Sequence, residues 1–336
     1  MEVFQNYNLQ SLNTFGISAY ASNFAVFNDV ESLKFLIQNM PQQPLTILGG
    51  GSNMLLTRDI SGTVLQNQIK GREVVFENSD EIHLRVGAGE NWHDLVLFTV
   101  ENDWGGIENL SLIPGCVGAS PMQNIGAYGV EIKDVLISVE ALHIPTLALH
   151  TFSNEDCEFG YRESVFKRRL KGQYVITHVT YRLTKAHQIN SSYGAIGDVL
   201  QRKGIDTPTI RDISEAVIEI RSSKLPDPKQ IGNAGSFFKN PVVSKSVLMV
   251  IQKVYPHVPF YSVDEEFVKI PAGWLIETAG WKGKDFGNYG VHDKQALVLV
   301  NRGGASGQSI FELSEQIIRD IQEKFEIALE REVNVY

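Results

Sequence analysis

Five stretches of this sequence combine residue types and spacings that could do chemistry. The first is Leu48-Gly49-Gly50-Gly51-Ser52-Asn53. Consecutive glycines at the end of a strand let backbone N–H groups come close to a phosphate, because no Cβ intervenes. Ser52 and Asn53 can add side-chain hydrogen bonds. A dinucleotide fingerprint is excluded, since Met54 stands where the third glycine of G-x-G-x-x-G is due. A Walker phosphate loop is excluded as well, because no Gly-Lys-Ser/Thr follows. A phosphate cradle and a plain tight turn stay equally open.

The second stretch is Ile113-Pro114-Gly115-Cys116-Val117-Gly118-Ala119-Ser120-Pro121-Met122-Gln123-Asn124-Ile125-Gly126-Ala127-Tyr128-Gly129. A surface loop of this length ordinarily carries Lys, Glu or Asp, and this one carries none. Such a segment can lie flat against a large planar ligand and offer backbone hydrogen bonds to its edge, as a flavin ring needs. The third stretch, Phe159-Gly160-Tyr161-Arg162-Glu163-Ser164-Val165-Phe166-Lys167, sets an arginine among aromatics. A desolvated guanidinium there suits a carboxylate or a developing enolate; taken alone, a surface ion pair is the better reading.

The fourth stretch runs Arg221-Ser222-Ser223-Lys224-Leu225-Pro226-Asp227-Pro228 and then Gly232-Asn233-Ala234-Gly235-Ser236-Phe237-Phe238-Lys239-Asn240-Pro241. Gly235 beside Ser236 allows an exposed hydroxyl. It is not a G-x-S-x-G elbow, and no histidine partner marks a hydrolytic triad. Ser236 reads as a proton donor rather than an acyl-forming nucleophile, with a turn or capping serine as the plainer alternative. The fifth is Glu330-Arg331-Glu332-Val333, whose carboxylates, in isolation, read as solvated.

The elements that must position these residues are mixed. Strand signals cover Leu45-Thr46-Ile47-Leu48, Ile82-His83-Leu84-Arg85-Val86, residues 174–183 and residues 296–301. Helix signals cover residues 92–100, 243–255 and 272–281. A last helix opens on a capping box of Ser309 and Glu312 and carries Ile310, Leu313, Ile317, Ile321 and Phe325 on one core-facing side. Pro226, Pro228, Gly232 and Gly235 mark a boundary over residues 221–235. The class is α+β. The 336 residues, 43% of them hydrophobic, suit two or three domains.

The net charge of -9 argues against nucleic-acid and membrane-surface partners. Two cysteines, Cys116 and Cys157, give neither a disulfide framework nor a zinc site, so no metal is expected. The N-terminal ten residues carry no signal-peptide pattern, and the apolar runs fall far short of the roughly 20 residues that span a bilayer. A soluble, reducing, cytoplasmic setting is expected.

Together these stretches, with Asn13-Thr14-Phe15 before them, resemble the UDP-N-acetylenolpyruvoylglucosamine reductase family (UDP-N-acetylmuramate dehydrogenase, MurB) nearly end to end. Ser191-Ser192-Tyr193-Gly194 resembles the tyrosine loop of its first type. The resemblance implies an FAD-binding fold of the vanillyl-alcohol-oxidase (PCMH) type plus a smaller α+β substrate-binding domain. The expected division is an FAD-binding subdomain at 1–66, a second at 67–225, a substrate domain at 226–329, and residues 330–336 returning to the active site. It implies an oxidoreductase of peptidoglycan synthesis, hence of cell-wall biogenesis, cell shape and cell division. FAD and NADPH are the cofactors, a UDP-sugar enolpyruvate the substrate, and a monomer the expected state. Ser236 is the implied proton donor, assisted by Arg162 and Glu332. Implied FAD contacts are Gly49, Gly50, Gly51, Ser52, Asn53, Ile113, Pro114, Gly115, Gly118, Ala119, Gln123, Asn124, Gly126 and Ala127. Implied substrate contacts are Tyr193, Lys224, Asn240, Tyr261, Lys269 and Gln295.

Related oxidases often attach FAD through a histidine in the pyrophosphate loop; none lies near Gly49 to Asn53, so a dissociable flavin is expected. The family pattern continues past Glu-Val with a basic residue and a tail, whereas here Asn334 follows and the sequence stops at Tyr336. Glu332 can assist only by donating a hydrogen bond, which requires its protonated form. The competing readings are an FAD-dependent sugar or lactone oxidase on the same fold, and a nucleotide-binding protein without catalysis.

Overall fold

The computed structural model describes residues 2–40 and 44–336; Met1, part of the N-terminal reading, lies outside them. Internal contacts divide the chain into two compact units. One comprises Met1–Tyr7, Ala21–Gly50 and Ser61–Ser223, the other Asn8–Tyr20, Gly51–Ile60 and Lys224–Tyr336.

In the first unit a four-stranded sheet runs in the order Val3–Asn8, Tyr20–Phe27, Ile60–Asn67, Leu45–Leu48. Leu45–Leu48 is a parallel strand, with Leu45 opposite Thr63 and Leu48 opposite Gln66. A five-stranded antiparallel sheet has the order Leu149–Ser153, Leu136–His143, Tyr174–Thr184, Glu81–Gly87, Arg72–Glu77. Glu81–Gly87 alternates between buried and half-buried residues, whereas Tyr174–Thr184 is buried on both faces over much of its length. Ile82, Leu84 and Val86 point inward with Val139, Ala141, Val179 and Tyr181. The helix Trp92–Glu101 closes this core through Trp92, Leu95 and Val96. Helices Gly194–Lys203 and Ile210–Lys224 pack together through Ile196, Val199 and Leu200 against Ile213, Ala216, Val217 and Ile220.

The second unit holds two three-stranded sheets and the short parallel pair of Met54–Leu55 with Asn334–Val335. One sheet runs Gly232–Ser236, Val298–Asn301, Tyr289–Val291; the other runs Val242–Ser244, Phe267–Lys269, Tyr261–Ser262. Helices Lys245–Val254, Ala272–Thr278 and Gly307–Phe325 complete it. The last has the apolar stripe read from the sequence: Ile310, Leu313, Ile317, Ile321 and Phe325 are all buried.

Several expectations are corrected. The final helix does not open on Ser309. Its N-cap is Ser306, whose hydroxyl accepts from the Ser309 N–H at 3.1 Å, and Glu312 instead accepts from Gln308 at 2.9 Å. The serine three residues earlier has the extended backbone an N-cap needs. Residues 243–244, read as helix, finish the strand Val242–Ser244, and Ser244 caps the helix that follows. Residues 296–297, read as strand, form a turn ahead of Val298–Asn301, and the helix read over 272–281 ends at Thr278. Helices Val30–Asn39, Gly194–Lys203 and Ile210–Lys224 went unread.

Two substitutions check the final helix. Ile317→Ala, at a fully buried site, should lower stability by about 2–5 kcal/mol. Ser306→Ala should cost about 1 kcal/mol, whereas Glu312→Ala should leave the urea midpoint nearly unmoved; the reverse order would restore the Ser309 cap.

Candidate active site

In the first unit the strand Leu45–Leu48 delivers Gly49 and Gly50 against the 113–118 segment. A Cβ on Gly50 would lie 3.0 Å from the Gly115 Cα, and one on Gly118 would lie 2.7 Å from the Ala88 Cβ. Two backbones are therefore almost in contact, which only glycine allows. Ile113, Gly115, Gly118, Gln123, Gly126 and Ala127 are half-buried, and Pro114 and Ala119 are exposed. The ribbon is anchored from below. Ser120 Oγ meets the buried Tyr181 hydroxyl at 2.7 Å, and Ser164 Oγ donates to the Met122 carbonyl at 2.6 Å. Burial pushes the Tyr181 phenol well above its ordinary pKa, so it stays neutral. Asn124 is buried and works as a staple. Its Nδ2 donates to Glu131 Oε2 at 2.9 Å and to the Gly160 carbonyl at 3.1 Å, and its Oδ1 accepts from Lys133 N at 3.0 Å. A neutral, half-exposed backbone ribbon beside a glycine turn fits the edge and pyrophosphate of a flavin dinucleotide.

Arg162 has φ +55°, an uncommon conformation for a residue with a Cβ. Its Nη2 donates to the Gly126 carbonyl at 2.7 Å, and its guanidinium lies 5.4 Å from the Tyr161 ring centre. A Cβ on Gly126 would come within 2.8 Å of Glu131 Cγ and 3.3 Å of Arg162 Nη1, so the glycine makes room for the arginine's seat. Tyr193 is exposed, packs edge-on to Tyr128 at 5.1 Å, and precedes the helix Gly194–Lys203.

Arg221 was read only as the start of a boundary. Its Nε donates to the Leu112 carbonyl at 3.2 Å, its guanidinium bonds the Tyr128 hydroxyl, and among the described residues no carboxylate pairs with it. Burial holds its pKa below the ordinary arginine value. His93 accepts from the Leu112 N–H at 3.0 Å, and burial, with the nearby Arg221 charge, lowers its pKa. The available signal was helical period: Arg221 follows Val217 by four residues and so falls on the buried side with Ile213 and Ile220.

In the second unit the strand Gly232–Ser236 is bulged. Gly232 pairs with Asn301 and Asn233 with Val300, and the register then jumps to Ser236 opposite Val298. Gly235 supplies φ +69° within the bulge. Bulges re-aim side chains, and here Ser236 is half-buried while Phe237 and Phe238 are buried. Asn233 locks the turn: Nδ2 donates to the Pro226 and Ile231 carbonyls at 3.1 and 2.8 Å, and Oδ1 accepts from Gly235 N at 2.9 Å. Asn240 Oδ1 accepts from Ala272 N at 2.9 Å, and Gln295 Oε1 would lie 3.0 Å from a Cβ on Gly273. Both amides thus meet the first turn of the helix Ala272–Thr278. Lys269 stands opposite Val242 on one side and Tyr261 on the other, so the three share a sheet face on which Tyr261 is exposed. Lys224 is exposed at the end of the helix Ile210–Lys224.

The C-terminal segment runs beside residues 237–239, which follow Ser236. Lys239 N donates to the Glu330 carbonyl and Glu332 N to the Phe237 carbonyl, each at 2.9 Å, with Phe238 opposite Arg331 between them. Lys239, also missed as a candidate, is buried and pairs with Glu330 at 2.5 Å. Arg331 donates to Ser314 Oγ at 2.8 Å, pairs with Glu315 and lies 4.6 Å from the Phe311 ring centre. Ser52 and Asn53 also belong to this unit, whereas Gly49, Gly50, Arg162 and Tyr193 belong to the other.

A glycine cradle with neutral lining lies on one unit, and a bulged strand carrying Ser236, laddered to the segment that carries Glu332, lies on the other. Residues 24–146 match the family model described as FAD binding domain, so the class is that of FAD-binding enzymes. Residues 227–336 match "UDP-N-acetylenolpyruvoylglucosamine reductase, C-terminal domain". The enzyme of that name from Flavobacterium johnsoniae is 52% identical, covering 100% of both chains. Those from Amoebophilus asiaticus and Bacteroides fragilis are 48% and 47% identical, covering 100% and 98% of this chain and 99% of each relative. The chain belongs to the UDP-N-acetylenolpyruvoylglucosamine reductase family. The crystal structure of the Thermus caldophilus enzyme agrees in fold, with a TM-score of 0.68 at 23% identity over 100% of this chain and 98% of that one. The resemblance, the α+β class with its FAD-binding fold, and FAD as cofactor are borne out. No helix among the described residues is long and apolar enough to cross a membrane.

The close approach of Gly50 to Gly115 gives a test. Gly50→Ala should push the two loops apart and weaken FAD binding about tenfold, or about 1.4 kcal/mol, read as flavin lost on dilution.

Proposed function

We propose that this protein reduces UDP-N-acetylglucosamine enolpyruvate to UDP-N-acetylmuramate with NADPH, through non-covalently bound FAD, for peptidoglycan precursor synthesis. The observation that carries the reading is the ladder setting Glu332 beside the residue that follows Ser236, in a chain whose two parts match an FAD-binding domain and the reductase's C-terminal domain. Residues 1–66 and 67–225 hold the flavin, residues 226–329 bind substrate, and residues 330–336 complete the active site. The enzyme acts in the cytoplasm as a monomer.

FAD held by the glycine run and the 113–127 ribbon would supply the hydride, drawn from NADPH, that adds to C3 of the enolpyruvyl ether. The chain's own residues manage the charge and the proton. Hydride addition leaves negative charge at C2, shared with the carboxylate, and Ser236 delivers the proton to C2. A hydroxyl is a weak acid, so the transfer relies on neighbouring charge: Arg162 stabilises the enolate, and protonated Glu332 donates a hydrogen bond. Lys224 and Lys269 take the anionic pyrophosphate or carboxylate, which is how an acidic chain binds an anionic substrate. Asn240 keeps its Nδ2 for substrate, since its Oδ1 already accepts from Ala272. Tyr193, Tyr261 and Gln295 complete the substrate contacts. Gly49, Gly50, Gly51, Ser52 and Asn53 take the pyrophosphate through their backbone N–H groups, and the 113–127 ribbon lines the ring.

The two half-reactions separate the roles. Ser236→Ala should bleach normally with NADPH under nitrogen, then reoxidise with substrate roughly 10²–10⁴-fold slower, while Ser236→Cys keeps some rate. Equal slowing of both traces in the stopped flow would make Ser236 a flavin-positioning group instead. If Glu332 acts as a donor, Glu332→Gln should retain more activity than Glu332→Ala; equal losses would assign the role to its ionised charge. Flavin that stays with acid-precipitated protein would contradict non-covalent binding, and failure to bleach with NADPH would favour the sugar or lactone oxidase.

A further inference from the structure

We infer that Asn53 is a positioning residue for Glu332: its side chain clamps the C-terminal strand, so the glycine-rich loop and the proposed hydrogen-bond donor are held as one piece. All the contacts lie within the second unit. Asn53 Nδ2 donates to the Glu332 carbonyl at 3.3 Å. The Asn53 carbonyl in turn accepts from Asn334 N at 3.3 Å and from Asn334 Nδ2 at 3.0 Å. Immediately beyond, Asn334–Val335 pairs in parallel with Met54–Leu55, Asn334 opposite Met54 and Val335 opposite Leu55. Tyr336 N donates to the Leu55 carbonyl at 2.9 Å, and Thr57 closes the end by donating from N and Oγ1 to the Tyr336 carbonyl at 2.9 and 2.6 Å.

The burial pattern shows why this clamp matters. Met54 and Leu55 are buried and give a fixed base, whereas Asn334, Val335 and Tyr336 are all exposed. Chain ends fray unless they are tied down, and only Val333 is buried here. Hydrogen bonds, not core packing, hold the last three residues. Glu332 is held on both sides: its N–H by the Phe237 carbonyl at 2.9 Å and its C=O by Asn53. Fixing both peptide groups fixes the direction in which the carboxyl leaves the backbone. The resemblance implies Asn53 as an FAD contact. The structure assigns its side-chain N–H to the tail, leaving the loop's backbone groups for the pyrophosphate.

The inference rests on the reading of Glu332 as a group that acts on substrate, and the experiment separates the two. Asn53→Ala and Asn334→Ala are made in the full-length holoenzyme, since Asn334→Ala loosens the tail without touching a loop side chain. Amide exchange of residues 332–336 should quicken about tenfold or more in both variants. Reoxidation by the UDP-sugar enolpyruvate should slow about 10- to 100-fold in both, the range for a misplaced group, with flavin bleaching by NADPH unchanged in Asn334→Ala. Adding Asn53→Ala to Glu332→Ala should cost nothing further. Unchanged tail exchange overturns the inference, as does loss of FAD from Asn53→Ala alone, which would make the amide a phosphate ligand. Full reoxidation rates in both Glu332→Gln and Glu332→Ala would instead overturn the role of Glu332, and tail exchange would still decide the clamp.

Discussion

The second unit depends on one backbone residue. Thr14 donates its N–H to the Gly51 carbonyl at 3.0 Å and accepts at its own carbonyl from Asn233 N at 3.0 Å. Those two bonds join three segments far apart in sequence: residues 8–20, the end of the glycine run, and the strand that carries Ser236. Loop-closure entropy opposes such an assembly, and its backbone groups must find partners once buried. The neighbours of Thr14 make the join stiff. Asn13 folds the chain around itself, donating to the Leu9 and Ile17 carbonyls at 2.8 and 2.9 Å and accepting from Ile17 N at 3.0 Å. Phe15 is fully buried, meets Phe237 edge-on at 6.2 Å, and lends its carbonyl to Asn301 Nδ2 at 2.8 Å. Asn13-Thr14-Phe15, which the sequence offers only as part of a resemblance, is thus the fastening under the proposed proton donor.

What could be read from the sequence was local chemistry. Glycines at 49–51, 115 and 118, a serine beside Gly235 and the stripe from Ile310 to Phe325 each announce themselves through residue type or period. What could not be read was partnership across distance. Nothing in Arg221 names Leu112 and Tyr128 as its partners, and nothing in Asn53 names Glu332. The helix Ile210–Lys224 carries a helical period at Ile210, Ile213, Val217 and Ile220, which Ser214 interrupts, and its packing against Gly194–Lys203 makes that face plain. The misplaced cap at Ser309 has a local cause. Both serines satisfy the local pattern, and the backbone of Ser306 decides between them.

Division of the glycine run between the units bears on mechanism. Gly49 and Gly50 belong with the neutral ribbon, while Gly51, Ser52 and Asn53 belong with the unit that carries Ser236 and Glu332. Six residues of sequence therefore serve two purposes. The first part forms a backbone cradle beside Gly115; the second anchors the tail and the 12–14 turn. A substitution in this run can fail for either reason, and flavin content together with the separate half-reactions tells them apart.

Backbone placement also bears on how such a fold tolerates extensive change in sequence. About half the residues differ between this chain and its 52%-identical relative, and the fold is kept at 23% identity. The contacts that set Ser236 and Glu332, namely Glu332 N to Phe237 O, Lys239 N to Glu330 O and Asn233 N to Thr14 O, run between main-chain groups that every residue but proline can supply. Side-chain identity is then needed at few points: the glycines where backbones touch, the asparagines that lock turns, and the groups that handle charge. Side chains around such a frame can drift without moving the reacting groups, because a hydrogen-bonded ladder sets their spacing and a buried phenylalanine pair sets its depth.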